Sequence, residues 1–415
     1  MFERHLARNV LDALADSPVV FLNGARQTGK STLAQKLSQG PHWARYLTLD
    51  DIAVLAAAKN DPEGFLSGLN GPIVIDEVQR APELFIPLKA AVDRERRPGR
   101  FLLTGSASAL VLPNLAQALT GRMEILTLWP LSQGEIEGTR EGFIDALFHE
   151  GSAFDAGKPL SRKETWNKIV LGGYPEPIGR PQPERRTAWV NSYLTAIVER
   201  DIRDLAAIEG LTQLPRLLHL LAARGAGLMN YAELSRSMGL PQSTLKRYLA
   251  LLEAAFLLQR LPPWSGNLGK RLVKTPKIFL NDTGLAANLL ALDAARLEEN
   301  APMAGPLLET FVMAELTKQA GWSHVKPRLY HFRTETGAEV DFVMEDARGR
   351  AVGVEVKAGS AGTGDFKGLK VLEEALGKKF LGGVVLYLGR EAVPFAKNMH
   401  ALPISALWRT PAPKH

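Results

Sequence analysis

The spacing of apolar positions changes several times along this chain, and each change predicts an element. Leu6, Val10, Leu11 and Leu14 fall at helical spacing within residues 2–16, which predicts an amphipathic packing helix. Short apolar runs then recur at residues 19–22, 46–49, 73–75, 101–103 and 123–128. Unbroken runs of this length, with helical stretches at 30–37 and 52–59 between them, are the pattern of parallel strands buried on both faces. From residue 133 to about 215 the pattern becomes helical and charge-rich, interrupted by Gly172-Gly-Tyr-Pro175 and the proline-rich residues 177–183. Within it, residues 193–205 predict an amphipathic helix carrying Glu199, Arg200, Asp201 and Arg203, a charged run that reads as a solvated or ion-paired face. Residues 230–282 predict two helices and two strands. Tyr231, Leu234 and Met238 share a face, Gly239 ends that helix, and Pro241 opens a second with Leu245, Tyr248, Leu249 and Leu252 inward. Strands follow at 256–261 and 273–280. The last segment, 305–408, predicts a helix through Leu308, Val312 and Leu316, then strands at 338–343 and 351–357 joined by a turn at 346–349.

Composition narrows the class. With 46% apolar and 23% charged residues among 415, the chain has the balance of a folded multidomain protein. It has no cysteine, which excludes disulfides and thiolate metal sites and fits a reducing cytoplasm. No run approaches the roughly 20 apolar residues of a membrane span, and residues 1–8 lack the apolar core of a secretory signal. A cytoplasmic protein without a membrane partner is therefore expected. The eight histidines are scattered without paired spacing, so no zinc site is expected. The net charge of +6 permits a polyanionic partner.

Chemistry first concentrates at residues 21–32, Phe-Leu-Asn-Gly-Ala-Arg-Gln-Thr-Gly-Lys-Ser-Thr. Gly24, Gly29, Lys30 and Ser31 meet the spacing G-x-x-x-x-G-K-[ST] between a predicted strand and a predicted helix, the signature of a phosphate-wrapping loop. Backbone N–H groups of Gly24, Ala25, Arg26, Gln27, Thr28, Gly29, Lys30, Ser31 and Thr32 converge on phosphates there. Lys30 reaches the β and γ oxygens, and the Ser31 hydroxyl is a magnesium ligand; ATP and Mg2+ are the expected cofactors. Downstream, Ile75-Asp-Glu77 ends a buried strand in two acids. Asp76 is expected to hold magnesium and Glu77 to act as general base on the attacking water. Thr104 and Ser106, at the end of the next strand, are either γ-phosphate sensors or turn caps. Asp50 and Asp51 either join the magnesium shell through water or cap the helix at 52–59. Arg122 is either a finger reaching a neighbouring subunit's γ-phosphate, which implies a homo-oligomer, or a surface salt-bridge residue.

Two further constellations lie downstream. Gln242, Ser243, Lys246 and Arg247 fall on the outward face of the second helix of the 230–282 unit, and Trp264, Lys270 and Arg271 fall in a wing-like loop. Between residues 241 and 280, Lys246, Arg247, Arg260, Lys270, Arg271, Lys274 and Lys277 face only Glu253, a basic face suited to DNA or, in the competing reading, to a protein partner. In the last segment two adjacent strands present Asp341, and Glu355 with Lys357 on a shared face. Asp341 and Glu355 as magnesium ligands, Lys357 at a water and Glu309 as a further ligand would form a metal-dependent phosphodiesterase site. The competing reading is a half-buried hairpin with outward charges.

With the phosphate loop, Ile75-Asp-Glu77, Leu103-Thr-Gly-Ser106 and Thr120-Gly-Arg122, the N-terminal part resembles the AAA-type ATPases of bacteria and archaea. Gly172-Gly-Tyr-Pro175, Glu199-Arg-Asp201, residues 276–284, Glu339-Val-Asp-Phe342 and Val354-Glu-Val-Lys357 fit the branch that carries a C-terminal domain without an assigned function. The resemblance covers nearly the whole chain. It implies an α/β protein: a P-loop NTPase core of AAA+ type with a parallel sheet at 1–135, a helical lid at 136–215, a winged helix at 216–290 and a restriction-endonuclease-like α/β domain at 300–410. It also implies the roles given for Glu309, Asp341, Glu355 and Lys357; Val340, where a proline is common, is one departure. The expected function is an ATPase acting on DNA with a nuclease-like domain; the alternatives are a nucleotide-dependent switch that docks protein, or an ATP-gated nuclease.

Overall fold

The computed structural model describes residues 2–106, 118–149, 154–205, 211–266, 275–299 and 301–413. They form two compact units: Arg4–Pro130 with Leu251–Phe256, and the remainder, of which Leu131–Ala250 and Leu257–His415 are the body.

The first unit is built on five parallel strands, β1 (Val19–Asn23), β2 (Arg45–Thr48), β3 (Ile73–Asp76), β4 (Phe101–Gly105) and β5 (Met123–Thr127), in the order β2-β3-β4-β1-β5. Alternation divides the strand residues between two cores. Val19, Phe21, Ile73, Ile75, Phe101 and Leu103 pack on one face with Leu84, Phe85 and Leu88. Val20, Leu22, Val74 and Leu102 pack on the other with Val10, Leu14, Leu33 and Leu37. Each of these side chains contributes about 1.5–3 kcal/mol on burial, enough to fix the strand register against a one-residue slip. The predicted N-terminal helix spans Ala7–Asp16 and buries Val10, Ala13 and Leu14. Because all five strands run the same way, the C-terminal ends of β1, β3 and β4 lie along one edge, and Gly24, Asp76 and Thr104 arrive there together.

In the second unit the described residues between 133 and 205 include helices Gln133–Glu137, Phe143–Phe148, Arg162–Leu171 and Pro183–Ala196, within the helical block expected at 133 to about 215. Residues 197–201 form a single π-helical turn before Ile202–Leu205. Helices Tyr231–Met238 and Gln242–Ala254 occupy the two predicted positions, the first capped by Asn230 and closed by Gly239 at φ +67°. Strands β6 (Leu258–Leu261) and β7 (Lys277–Leu280) pair antiparallel and are shorter than predicted. Trp264 departs from its expected place on a wing: it is 8% exposed, its Nε1–H donates to Glu345 at 2.6 Å, and its ring packs among Tyr330, Phe332 and Val343. An indole is too large an apolar surface to leave in water when a core is within reach.

The C-terminal sheet is mixed. It comprises β8 (Arg328–Arg333), β9 (Glu339–Glu345), β10 (Ala351–Lys357), β11 (Phe380–Tyr387), β12 (Val393–Ala396) and β13 (Met399–Pro403), ordered β12-β13-β11-β10-β9-β8. β10–β11 and β11–β13 are parallel and the other pairs antiparallel. Helix Lys367–Leu376 buries Leu369 and Leu372 in the same core as Val340, Val343 and Val385.

The Gly172-Gly-Tyr-Pro and Asn281-Asp-Thr-Gly stretches form one packing motif. Asp282 is 2% exposed; its carboxylate accepts from Gly284 N–H and Leu285 N–H at a helix start and from Gly173 N–H at 2.7 Å. Burial raises its pKa. Gly172 sits at φ +70°, ψ −162°, a region open essentially to glycine, and a Cβ there would lie 2.3 Å from Asp282 Oδ1. Gly172→Ala is therefore expected to destabilise this unit by about 2–4 kcal/mol in chemical denaturation followed by tryptophan fluorescence; an unchanged midpoint would remove this account of the motif.

Candidate nucleotide site and a C-terminal ion cluster

The loop leaving β1 has the backbone that phosphate wrapping requires. Gly24 (φ +148°) runs so close to β5's exit that a Cβ would lie 2.2 Å from the Leu128 carbonyl oxygen. Gly29, at φ +91°, is the left-handed residue that opens helix Lys30–Ser38. The buried Thr28 hydroxyl donates to Ala25 O at 2.9 Å, and Arg4 donates to the carbonyls of Thr28 and Trp129, both at 2.6 Å, tying the loop to the strand edge. Lys30 is 4% exposed and its Nζ donates to Gly24 O (3.0 Å) and Ala25 O (2.7 Å). The ammonium thus lies within the loop, held by backbone oxygens. Ala25 is buried, Arg26 half-buried, and Gln27 and Thr32 exposed.

Asp76 is the hub of the site. It is 3% exposed and accepts from Ser31 Oγ at 2.9 Å, from Tyr46 Oη at 2.8 Å and from Thr104 Oγ1. Thr104 also accepts from Glu77 N–H at 3.1 Å, so its one hydroxyl joins the end of β4 to two consecutive residues leaving β3. Glu77 is held at φ +58°, a left-handed conformation unusual for a non-glycine residue, and its carboxylate accepts from Gln79 Nε2, which also donates to Ser106 Oγ at 2.9 Å. Ser106 Oγ lies 3.4 Å from Glu77 as well. The structure therefore brings together Lys30, Ser31, Asp76, Glu77, Thr104 and Ser106. It adds Tyr46 and Gln79, which sequence reasoning missed. Burial, then its hydrogen bond to Asp76, drives the Tyr46 phenol well above its usual pKa, so it stays a donor. The signal for Tyr46 was its place on a strand now seen beside β3, and for Gln79 its position two residues after Glu77.

Asp51 caps helix Ile52–Asn60, accepting from Ala53 N–H at 2.8 Å and Val54 N–H at 3.1 Å, and Asp50 pairs with Arg80. Arg122 Nε meets Asp93 Oδ1 at 2.5 Å, the salt-bridge arrangement, and that hydrogen bond lowers the Asp93 pKa.

A hydroxyl and a carboxylate 2.9 Å apart, Ser31 and Asp76, beside a buried lysine are the donor set a nucleotide-bound magnesium ion needs, so these residues fit that group.

The C-terminal constellation differs from expectation. Asp341 on β9 and Glu355 on β10 are buried and adjacent, with Asp341 Oδ2 accepting from Val356 N–H at 3.0 Å. Lys357 Nζ meets Glu355 at 2.7 Å. Burial, then the Asp341 charge, raises Glu355 to about 7 and Glu309 to about 8. Lys277, expected on the outward basic face, is instead 3% exposed: its Nζ lies 3.0 Å from Asp341, 2.8 Å from Glu339 and 3.3 Å from Glu309. The reason is strand alternation, since Lys277 and Phe279 point the same way and the Phe279 ring packs 6.0 Å from that of Phe342 on β9. Among the described residues no group of three or more His, Asp or Glu could hold a metal ion. Glu309 and Asp341 here face the Lys277 ammonium, and Glu355 faces Lys357.

Of the predicted nucleic-acid residues, Gln242, Ser243, Lys246 and Arg247 are exposed on helix Gln242–Ala254, with Lys246 Nζ 5.4 Å from the centre of the Tyr231 ring. Lys270 and Arg271, with Lys274, lie outside the described residues.

Thr104→Val keeps the shape of the side chain and removes both hydrogen bonds, leaving a buried Asp76 oxygen short of a donor and Glu77 N–H without its acceptor. An expected loss of about 2–4 kcal/mol in equilibrium unfolding checks the hub, and a neutral result would contradict it.

Residues 16–137 match the AAA domain family, residues 162–296 a domain of unknown function (DUF8612) and residues 304–407 another (DUF4143). Among solved structures the chain is similar to the Holliday junction branch migration motor RuvB of Thermotoga maritima, at 18% identity and a TM-score of 0.32 over 63% of this chain and 90% of that one. A mutant of that protein gives 19% and 0.33 over the same shares. Similarity at this level carries no argument about function. No helix among the described residues is long and apolar enough to cross a membrane. Uncharacterized proteins of Mycobacterium tuberculosis and Mycobacterium bovis are each 33% identical over 409 residues, spanning 98% of this chain and 85% of their own length. An uncharacterized protein of Haemophilus influenzae is 27% identical over 252 residues, 59% of this chain and 56% of its own. The chain belongs to the family of the two mycobacterial proteins, and its N-terminal part is an AAA-type P-loop domain.

Proposed function

We propose that this chain hydrolyses ATP with magnesium and acts on DNA. The observation that carries the hydrolysis is the meeting of Lys30, Ser31, Asp76 and Glu77 at one strand edge, with Ser31 and Asp76 in direct contact. Ser31 and Asp76 are the residues that would hold magnesium, which when bound neutralises charge on the phosphates. Lys30 exchanges its loop carbonyls for β and γ phosphate oxygens. Glu77 takes a proton from the attacking water as Gln79 releases its carboxylate. Arg122, on leaving Asp93, is the group that would act on a neighbouring subunit's nucleotide in a homo-oligomer. The DNA arm rests on the exposed Gln242, Ser243, Lys246 and Arg247, whose side chains suit phosphate contact.

A second reading is favoured by one observation, the ammonium of Lys277 amid the C-terminal acids. In it the chain is a nucleotide-dependent switch that docks protein partners, and the nuclease-like domain is structural only.

Steady-state hydrolysis with magnesium, across single-stranded, duplex and branched DNA at fixed salt, separates the two. Stimulation by one of these supports action on DNA, and indifference to all of them supports the switch. Lys30→Ala is expected to weaken nucleotide binding at least 100-fold in a titration with a fluorescent ATP analogue. Glu77→Gln should bind ATP normally and turn it over about 10²–10⁴-fold more slowly, the range for loss of a general base; wild-type turnover would remove Glu77 from that role.

Lys246→Glu with Arg247→Glu is expected to lower DNA affinity at least tenfold at fixed salt in a gel-shift titration, since two phosphate contacts become repulsions. Unchanged affinity in a folded variant would remove the DNA arm.

A further inference from the structure

The C-terminal acid cluster contains its own cation. Glu309 comes from helix Ala301–Trp322, Glu339 and Asp341 from one face of β9, and Lys277 from β7. An ammonium has three N–H donors, and here three carboxylates lie within 3.3 Å of it. Each of its donors has a carboxylate partner, and the second oxygen of Asp341 accepts from Val356 N–H. A magnesium or manganese ion needs oxygens at about 2.0–2.2 Å and a shell free of other cations. An ion bound to the oxygens that face Nζ would lie close to it, where a second positive charge in a buried setting is strongly repelled.

We propose that Lys277 takes the place of a divalent ion here, so that the cluster is an ion-pair latch fastening β7 to β9 and helix Ala301–Trp322 and binds no divalent metal. Glu339, which the expected metal constellation did not include, is part of the latch because it lies two residues before Asp341 and so on the same side of the strand. Glu355, beside Asp341, has its own cationic partner, Lys357, at 2.7 Å. Burial of Lys277 costs several kcal/mol in desolvation, and charge-paired hydrogen bonds to three acids offset it. Those acids outweigh the burial and hold the Lys277 ammonium above its ordinary pKa. The latch is independent of the hydrolysis proposed for the other unit.

The test is manganese binding by the full-length, nucleotide-free protein, read by isothermal titration calorimetry and by the shift of thermal unfolding with added ion. Wild type and Asp341→Asn are expected to bind alike, because the cluster contributes no site. Lys277→Met removes the resident charge and is expected to gain one manganese site at least tenfold tighter than any in wild type, with ion-dependent stabilisation larger than that of wild type. If Lys277→Met does not fold without metal, recovery of the fold on adding manganese is the same result. A manganese site in wild type that Asp341→Asn abolishes would overturn the proposal, and so would a Lys277→Met protein that neither binds manganese nor is stabilised by it. The wild-type and Asp341→Asn comparison decides the metal question even if Lys277→Met cannot be prepared.

Discussion

The first unit depends on one constraint, the need to satisfy a carboxylate at the end of a buried strand. Asp76 closes β3, whose preceding residues Ile73, Val74 and Ile75 are fully buried, and is itself only 3% exposed. Donors must come to it. Ser31 arrives from the helix after the phosphate loop, Tyr46 from β2 and Thr104 from β4. Each donor belongs to an element placed by the parallel register, and together they draw four segments of the sheet edge to a common point. The position of the phosphate loop over that edge is thus a consequence of where the acid is.

How much of this was legible in the sequence depends on how far apart the cooperating residues lie. The phosphate loop could be read directly because strand, turn and helix start fall within 14 consecutive residues, 19–32, and each glycine has a local reason: Gly29 for its left-handed φ, Gly24 for its approach to Leu128. Asp76 and Glu77 could be read because an apolar run ends on them. Gln79 and Tyr46 could not be, since neither residue type nor spacing distinguishes them until β2 lies beside β3 and Ser106 comes opposite Glu77. The Gly172-Gly-Tyr-Pro and Asn281-Asp-Thr-Gly stretches were visible as motifs, yet their meaning, a buried carboxylate seated against a glycine backbone, required 109 residues of separation to close.

Lys277 shows the harder case. In the sequence it sits in a stretch where bases greatly outnumber acids, and counting charges assigned it to a solvated face. Its acids come from 32 to 64 residues downstream, on elements whose pairing no local pattern specifies. Charge runs read from sequence report composition, and burial then selects which members stay in water. Lys246 and Arg247, on a helix whose inward face is filled by Leu245, Tyr248 and Leu249, stay exposed; Lys277, alternating with Ile278 on a buried strand, does not. Trp264 was misplaced for the same reason.

The two acid sites of the chain differ in the charge of their partners, and that difference separates their chemistry. Asp76 accepts from neutral hydroxyls, those of Ser31, Tyr46 and Thr104 and, at 3.5 Å, that of Thr48. A hydroxyl can also rotate to offer a lone pair, so Ser31 can pass from donor to metal ligand without moving its backbone. Such a site keeps its affinity for a cation. The Glu309, Glu339 and Asp341 cluster is held by an ammonium, which donates toward all three, brings one positive charge among them and has no lone pair to give. Acids counted alone would rate the C-terminal cluster the better metal site, with three carboxylates against two, Asp76 and Glu77. With their partners included the order reverses, because a hydroxyl can turn a lone pair toward an ion, whereas a resident ammonium has none to give and repels a second cation.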